Sequence, residues 1–130
     1  MFTREGLLRR IESDETVIVN LCRQLVQIPS ENPPGDTREI VRFLVSLFEK
    51  KGLDQTVYAP QDQMPNFVAR IQGQGKGKRL VLNGHIDTYP VGERATWSRD
   101  PFGGDIEDGK IFGRGVSDMK AGDTASIMTF

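Results

Sequence analysis

From Val17, apolar residues recur at Leu21, Leu25 and Ile28, a spacing that predicts a helix with one buried stripe. Pro29 ends it, and SENPPG at residues 30–35 is a turn-rich loop. Leu7, Leu8 and Ile11 predict a helical turn or two upstream, either continuous with that helix or separate from it. A second helix follows the loop. Asp36 is placed to cap it, and Glu39, three residues on, completes a capping box. Ile40, Leu44, Leu47 and Phe48 form its apolar face. Lys50 and Lys51 suit the negative end of its dipole, and Gly52 suits the left-handed position after the last turn.

The period then changes from helix to strand. Residues 55–58 form one short candidate. Residues 66–71 form a second, in which Phe67, Ala69 and Ile71 alternate with Val68 and Arg70. GQGKGK at 73–78 is a polar turn. Residues 79–83 contain the continuous apolar run Leu80, Val81, Leu82, which predicts a strand buried on both faces and hence a sheet covered by helices. Residues 104–112 predict a hairpin, with Asp108 and Gly109 as the turn pair between DIE and KIF. A last helix is expected from about Lys120. It reaches Phe130 without a Gly, Asn or Pro stop, which favours truncation over a frayed terminal helix.

The chain has 130 residues, enough for one domain with a core. A hydrophobic fraction of 37% with 27% charged residues is ordinary for a soluble globular protein. The formal net charge of −1 offers no basic excess for nucleic acid and no charged block for a membrane surface. No apolar stretch is long enough to span a bilayer, and Arg4, Glu5, Arg9 and Arg10 break up any signal-peptide order. The single Cys22 sits among Leu21, Leu25 and Val26, as a buried small hydrophobe does. A cytoplasmic location is the expectation.

The candidate chemistry lies in two segments. GHIDTYP at 84–90 directly follows the expected central strand, and sites in α/β sheets gather at the carboxyl ends of strands. His85 is the only histidine. A lone His is more often structural than a ligand, but Asp87 two residues on projects to the same side of an extended backbone. A carboxylate there can accept from one ring nitrogen, fix the tautomer and free the other nitrogen for a metal. GRGVSDMKAGD at 113–123 is the second segment. Asp118 stands at the entrance to the last helix, where taken alone it is an ordinary N-cap. Lys120 taken alone is a solvated charge. Neither this segment nor GQGKGKR has the spacing of a dinucleotide or phosphate loop. Trp97, Pro101 and Phe102 lie between the segments and are read as packing the long connection, in preference to walling a pocket.

The ordered set of GHIDTYP, WSRDPFGG, a DG hairpin and GRGVSDMKAG resembles the zinc peptidase and deacylase family of acetylornithine deacetylase, succinyl-diaminopimelate desuccinylase, aminoacylase and the glutamate-releasing carboxypeptidases. The resemblance covers roughly the whole chain. Tyr89 and Asp123 are mild departures. The resemblance implies an α/β fold, here the N-terminal part of a helix-covered mixed-sheet catalytic domain. The later half of that domain and the lid or dimerisation domain would be absent. It implies that His85 binds one zinc, that Asp87 orients His85 in a catalytic role, and that Asp118 bridges two zincs. It implies a cis peptide between Asp118 and Met119. Cobalt or manganese are the expected substitutes for zinc. The implied substrates are N-acyl amino acids or small peptides, cleaved at an amide bond, and the complete enzyme would be a homodimer. A Glu-Glu pair, a further carboxylate and a second histidine complete such a site. No Glu-Glu pair follows Asp118 and no second His exists here, so the isolated chain is expected to be inactive and to bind zinc weakly.

Two other readings stay open at this stage. One is a non-catalytic chain that pairs with a partner polypeptide. The other is a plain α/β binding domain without metal, which requires His85, Asp87 and Asp118 to be structural and spatially unrelated. Geometry discriminates, because in the metal reading His85 and Asp118 converge on one point.

Overall fold

The computed structural model describes residues 3–130. Helix α1 (Arg4–Ser13) begins at Thr3, whose hydroxyl accepts from the Gly6 N–H at 3.1 Å. It stops at Asp14, and α2 (Glu15–Val26) starts at once as a separate helix. Leu7, Leu8 and Ile11 of α1 remain about half exposed, and so does Val17. The buried stripe of α2 is Leu21, Cys22, Leu25 and Val26. The cysteine is thus the small core hydrophobe expected, and burial raises its thiol pKa.

Helix α3 (Arg38–Lys50) buries Ile40, Val41, Leu44 and Phe48, with Leu47 partly covered. The expected capping box does not form. Asp36 directs its carboxylate to Arg38: Oδ1 accepts from the backbone N–H at 3.1 Å and from Nε at 2.9 Å. Oδ2 accepts from Nη2 at 2.5 Å. The N-cap position therefore falls on Thr37, and Glu39 sits one residue too early to close a box. At the other end Gly52 has φ +65°, as the sequence requires.

Leu21 and Leu25 of α2 meet Ile40 and Leu44 of α3 in the core. Ile28, Phe67, Ile86, Ile127 and Met128 pack partly buried against that cluster. Strands β1 (Asp54–Tyr58) and β2 (Asn66–Arg70) pair antiparallel, with Gln55 opposite Ala69 and Val57 opposite Phe67. Phe67 and Ala69 face inward. The Phe67 ring meets that of Phe48 edge-on at 5.0 Å. The alternation ends there, since Ile71 is exposed. The hairpin of β3 (Asp105–Glu107) and β4 (Lys110–Phe112) turns on Asp108 and Gly109, both at positive φ. Helix α4 (Ala121–Thr129) packs against α2.

The expected central strand at 79–83 is not formed. Leu80 and Val81 are 77% and 72% exposed. A strand buried on both faces needs neighbours to complete its ladder. Among the described residues this segment pairs with none. The architecture is α/β with helices, two small antiparallel sheets and one isolated parallel bridge, Glu31 with Thr88.

Candidate metal centre

Ile86 packs on the core, so its neighbours His85 and Asp87 turn the other way. The loop at 30–32 pins this segment from the side. The Thr88 N–H donates to the Ser30 carbonyl at 2.9 Å, and the Asn32 N–H donates to the Thr88 carbonyl at 2.8 Å. The hydroxyl of buried Ser30 donates to the Ile86 carbonyl at 2.7 Å. The Val91 N–H donates to Glu31 Oε1 at 2.8 Å, and Asn32 Nδ2 donates to Asp87 Oδ2 at 3.0 Å.

His85 and Asp118, 33 positions apart, meet: Nε2 of the imidazole lies 2.9 Å from Asp118 Oδ1. The other ring nitrogen, Nδ1, lies 3.0 Å from the Asp87 backbone carbonyl and 3.4 Å from its Oδ1. The nearer acceptor is thus Asp87's carbonyl, not the carboxylate the sequence points to. Asp118 carries non-helical angles (φ −136°, ψ 90°) and is followed by a cis peptide to Met119. The N-cap position of α4 is Lys120, so Asp118 is not a cap. Its side chain is 86% exposed and that of His85 about half. The Asp118 carboxylate raises the His85 pKa above its ordinary value, burial opposes, and the Asp87 carbonyl and carboxylate add to the rise.

Below this surface lie groups the sequence reading missed. Lys120 is fully buried, contrary to its reading as a solvated charge, and Nζ donates to the Ile28 carbonyl at 2.7 Å. Burial pushes its pKa down to about 8, against the pull of Asp123 and Cys22. Asp123 is buried as well, and burial pushes its carboxyl up to about 6, against His85 and Lys120. Its Oδ2 has no hydrogen-bond partner among the described residues. A Cβ on Gly84 would overlap the Asp123 carboxylate, so the glycine lets the end of the 79–83 segment approach α4. The signal in the sequence was Gly84 itself, a residue without a Cβ immediately before His85. Trp97 donates from Nε1 to the Val91 carbonyl at 2.9 Å and carries the Arg114 guanidinium 4.9 Å above its ring. Pro101 is buried and Trp97 and Phe102 are half-buried, and Trp97 and Pro101 also line a shallow open pocket with Arg94 and Arg99.

An imidazole nitrogen and a carboxylate oxygen are donors zinc accepts. Two such ligands, each about 2.0–2.2 Å from one tetrahedral ion, stand roughly 3.3–3.6 Å apart. The observed 2.9 Å needs to open by about half an ångström, within reach of an exposed carboxylate. The pair therefore fits a shared cation. Among the described residues no third His, Cys, Asp or Glu joins them in a metal-holding group.

Residues 81–130 match the model of peptidase family M20/M25/M40. The chain is 39% identical over 110 residues to a succinyl-diaminopimelate desuccinylase of Cereibacter sphaeroides, covering 84% of this chain and 28% of that protein. It is 40% identical over 119 residues to a protein of the same name from Methylocella silvestris, covering 86% and 30%. It is also 32% identical over 126 residues to an N-formyl-4-amino-5-aminomethyl-2-methylpyrimidine deformylase of Halalkalibacterium halodurans, covering 95% and 30%. The chain thus spans less than a third of the length of these relatives. With the ordered motifs in place on an α/β framework and these likenesses along most of its length, the chain belongs to peptidase family M20/M25/M40.

Proposed function

We propose that this chain supplies part of a two-zinc amide hydrolase site, with His85 and Asp118 as metal ligands and Asp87 as the group that orients His85. The observation that carries the reading is the 2.9 Å approach of His85 Nε2 to Asp118 Oδ1. When bound, the metal supplies a polarised substrate carbonyl and an acidified water. Asp87 takes the Nδ1 proton side of the ring, which leaves Nε2 to face the cation. Asp118 offers two oxygens on an exposed carboxylate, the form a bridging ligand needs. The relatives' names, desuccinylase and deformylase, support removal of a small acyl group from an amine as the reaction class. N-acyl amino acids or small peptides are the proposed substrates, and zinc the proposed metal, with cobalt or manganese as substitutes. The 130 residues hold one histidine and no Glu-Glu pair after Asp118. Base and further ligands then come from outside this chain, and alone it turns over no substrate.

Calorimetric titration of the metal-free chain with zinc tests the reading. We expect binding in the roughly micromolar range or weaker, because two protein ligands stand where catalytic sites supply three. His85→Ala and Asp118→Ala should each weaken it by about tenfold or more. Undiminished zinc binding by the doubly substituted chain would refute the assignment, as would tight binding of two zincs by the parent.

A further inference from the structure

Loop 30–32 follows α2 and reads in the sequence as a turn without a site residue. We propose that Asn32 is a positioning residue for the His85–Asp87 pair. Its carboxamide donates from Nδ2 to Asp87 Oδ2 at 3.0 Å, while Oδ1 of the same carboxylate stands 3.4 Å from His85 Nδ1. One oxygen is tied down by the loop, and the other faces the imidazole beside the Asp87 carbonyl, which lies nearer to Nδ1 at 3.0 Å. The amide orientation follows from chemistry, since the carbonyl end of Asn32 would set acceptor against acceptor.

The bond is not needed merely to attach the loop. The Asn32 backbone N–H already reaches the Thr88 carbonyl, and Ser30 makes two further links to the same segment. The side-chain bond is additional and ends on a carboxylate of the site. A neutral donor on an ionised carboxylate makes a charge-assisted bond, stronger than one between neutral groups. Asparagine meets the requirement and aspartate of the same shape does not, because it brings a like charge and no donor. The inference rests on the proposed metal site for its purpose, but its geometry does not require a metal.

His85 is the only histidine, so its ring nitrogens give one unambiguous pair of 15N resonances. The experiment compares the metal-free parent with Asn32→Leu and Asn32→Asp at about pH 9, where the ring is largely neutral. In the parent, Nδ1 should carry the proton for a substantial fraction of the time. Both substitutions should shift the tautomer ratio toward the Nε2–H form by about two-fold or more, with Asn32→Asp the larger. A second arm titrates each chain with cobalt, whose dissociation constant should rise by about 3–10-fold in Asn32→Leu. If Asn32→Leu loses the parent's far-ultraviolet circular dichroism, Asn32→Ser, which is too short to reach Asp87, replaces it. An unchanged tautomer ratio in folded variants overturns the proposal. A parent that binds no cobalt refutes the metal reading instead, and the tautomer arm still decides the role of Asn32.

Discussion

Gly115 stands at the turn that delivers Asp118, and replacing it tests how tightly that turn is packed against the histidine segment. Its φ is +77°, a conformation an L-residue adopts at about 1–2 kcal/mol. A Cβ there would overlap the Thr88 methyl, with Thr88 Cβ at 3.3 Å and the Asp118 carbonyl oxygen at 3.4 Å. Thr88 cannot swing away, because it is buried and its backbone N–H and carbonyl are both bonded to the loop at 30–32. Overpacking of this kind costs about 1–3 kcal/mol. Gly115→Ala should therefore destabilise the chain by about 2–5 kcal/mol, the backbone and steric parts together. Thr88→Ala removes the obstructing methyl, and with it a hydroxyl that has no partner among the described residues. In the double variant the backbone part and a residual tight contact with the position-88 Cβ should remain, so the two substitutions should couple by about 1–2 kcal/mol. Urea unfolding followed by circular dichroism measures all four chains of the cycle. A Gly115→Ala chain within about 0.5 kcal/mol of the parent would show that the turn is loose, as would a coupling indistinguishable from zero.

Two further outcomes are expected. Asp123 has its folded-state pKa raised from 3.8 to about 6, so its contribution is most favourable below the unfolded value and is lost as pH rises through the folded one. Asp123→Asn should accordingly gain on the parent between about pH 4 and pH 7, by up to roughly 3 kcal/mol; unfolding curves at both pH values check the sign, and an equal difference at the two would contradict it. Val81→Asp should reduce self-association of the chain, because Leu80 and Val81 form an exposed apolar run without a ladder partner among the described residues; sedimentation velocity measures this, and a parent that stays monomeric over a wide concentration range would remove the reason for it.

The helices with one-sided apolar stripes were legible because burial follows from local period alone. Ile40, Leu44 and Phe48 go where their spacing sends them. The hairpin was legible for a similar reason, as Asp108 and Gly109 carry their turn in their own backbone preferences. The segment at 79–83 failed because a strand's burial depends on other strands, and its composition describes a context that these residues do not supply by themselves. The capping box failed on a shorter-range competition, in which Arg38 beside Asp36 captured the carboxylate. Lys120, Asp123 and Asn32 were missed because each is polar and reads as surface when taken alone. Their burial and bonding depend on where α2 ends and where the histidine segment crosses, which no local pattern encodes.

Charge explains why these particular groups gather. Asp87 and Asp118 both face one imidazole, and Asp123 lies close enough for its charge to be felt there. Lys120, the buried cation of the set, is turned toward the Ile28 carbonyl, away from the exposed carboxylate of Asp118. The Asp118 carboxylate beside Nε2 favours a proton on the ring, and that raises the His85 pKa. A cation at the proposed site would take the place of that proton between the same two atoms. Metal and proton would therefore compete for one nitrogen, the proton at the observed 2.9 Å and the metal at a wider gap. The hold on Asp87 by Asn32 bears on both states, since Nδ1 faces the Asp87 carbonyl at 3.0 Å and its carboxylate at 3.4 Å.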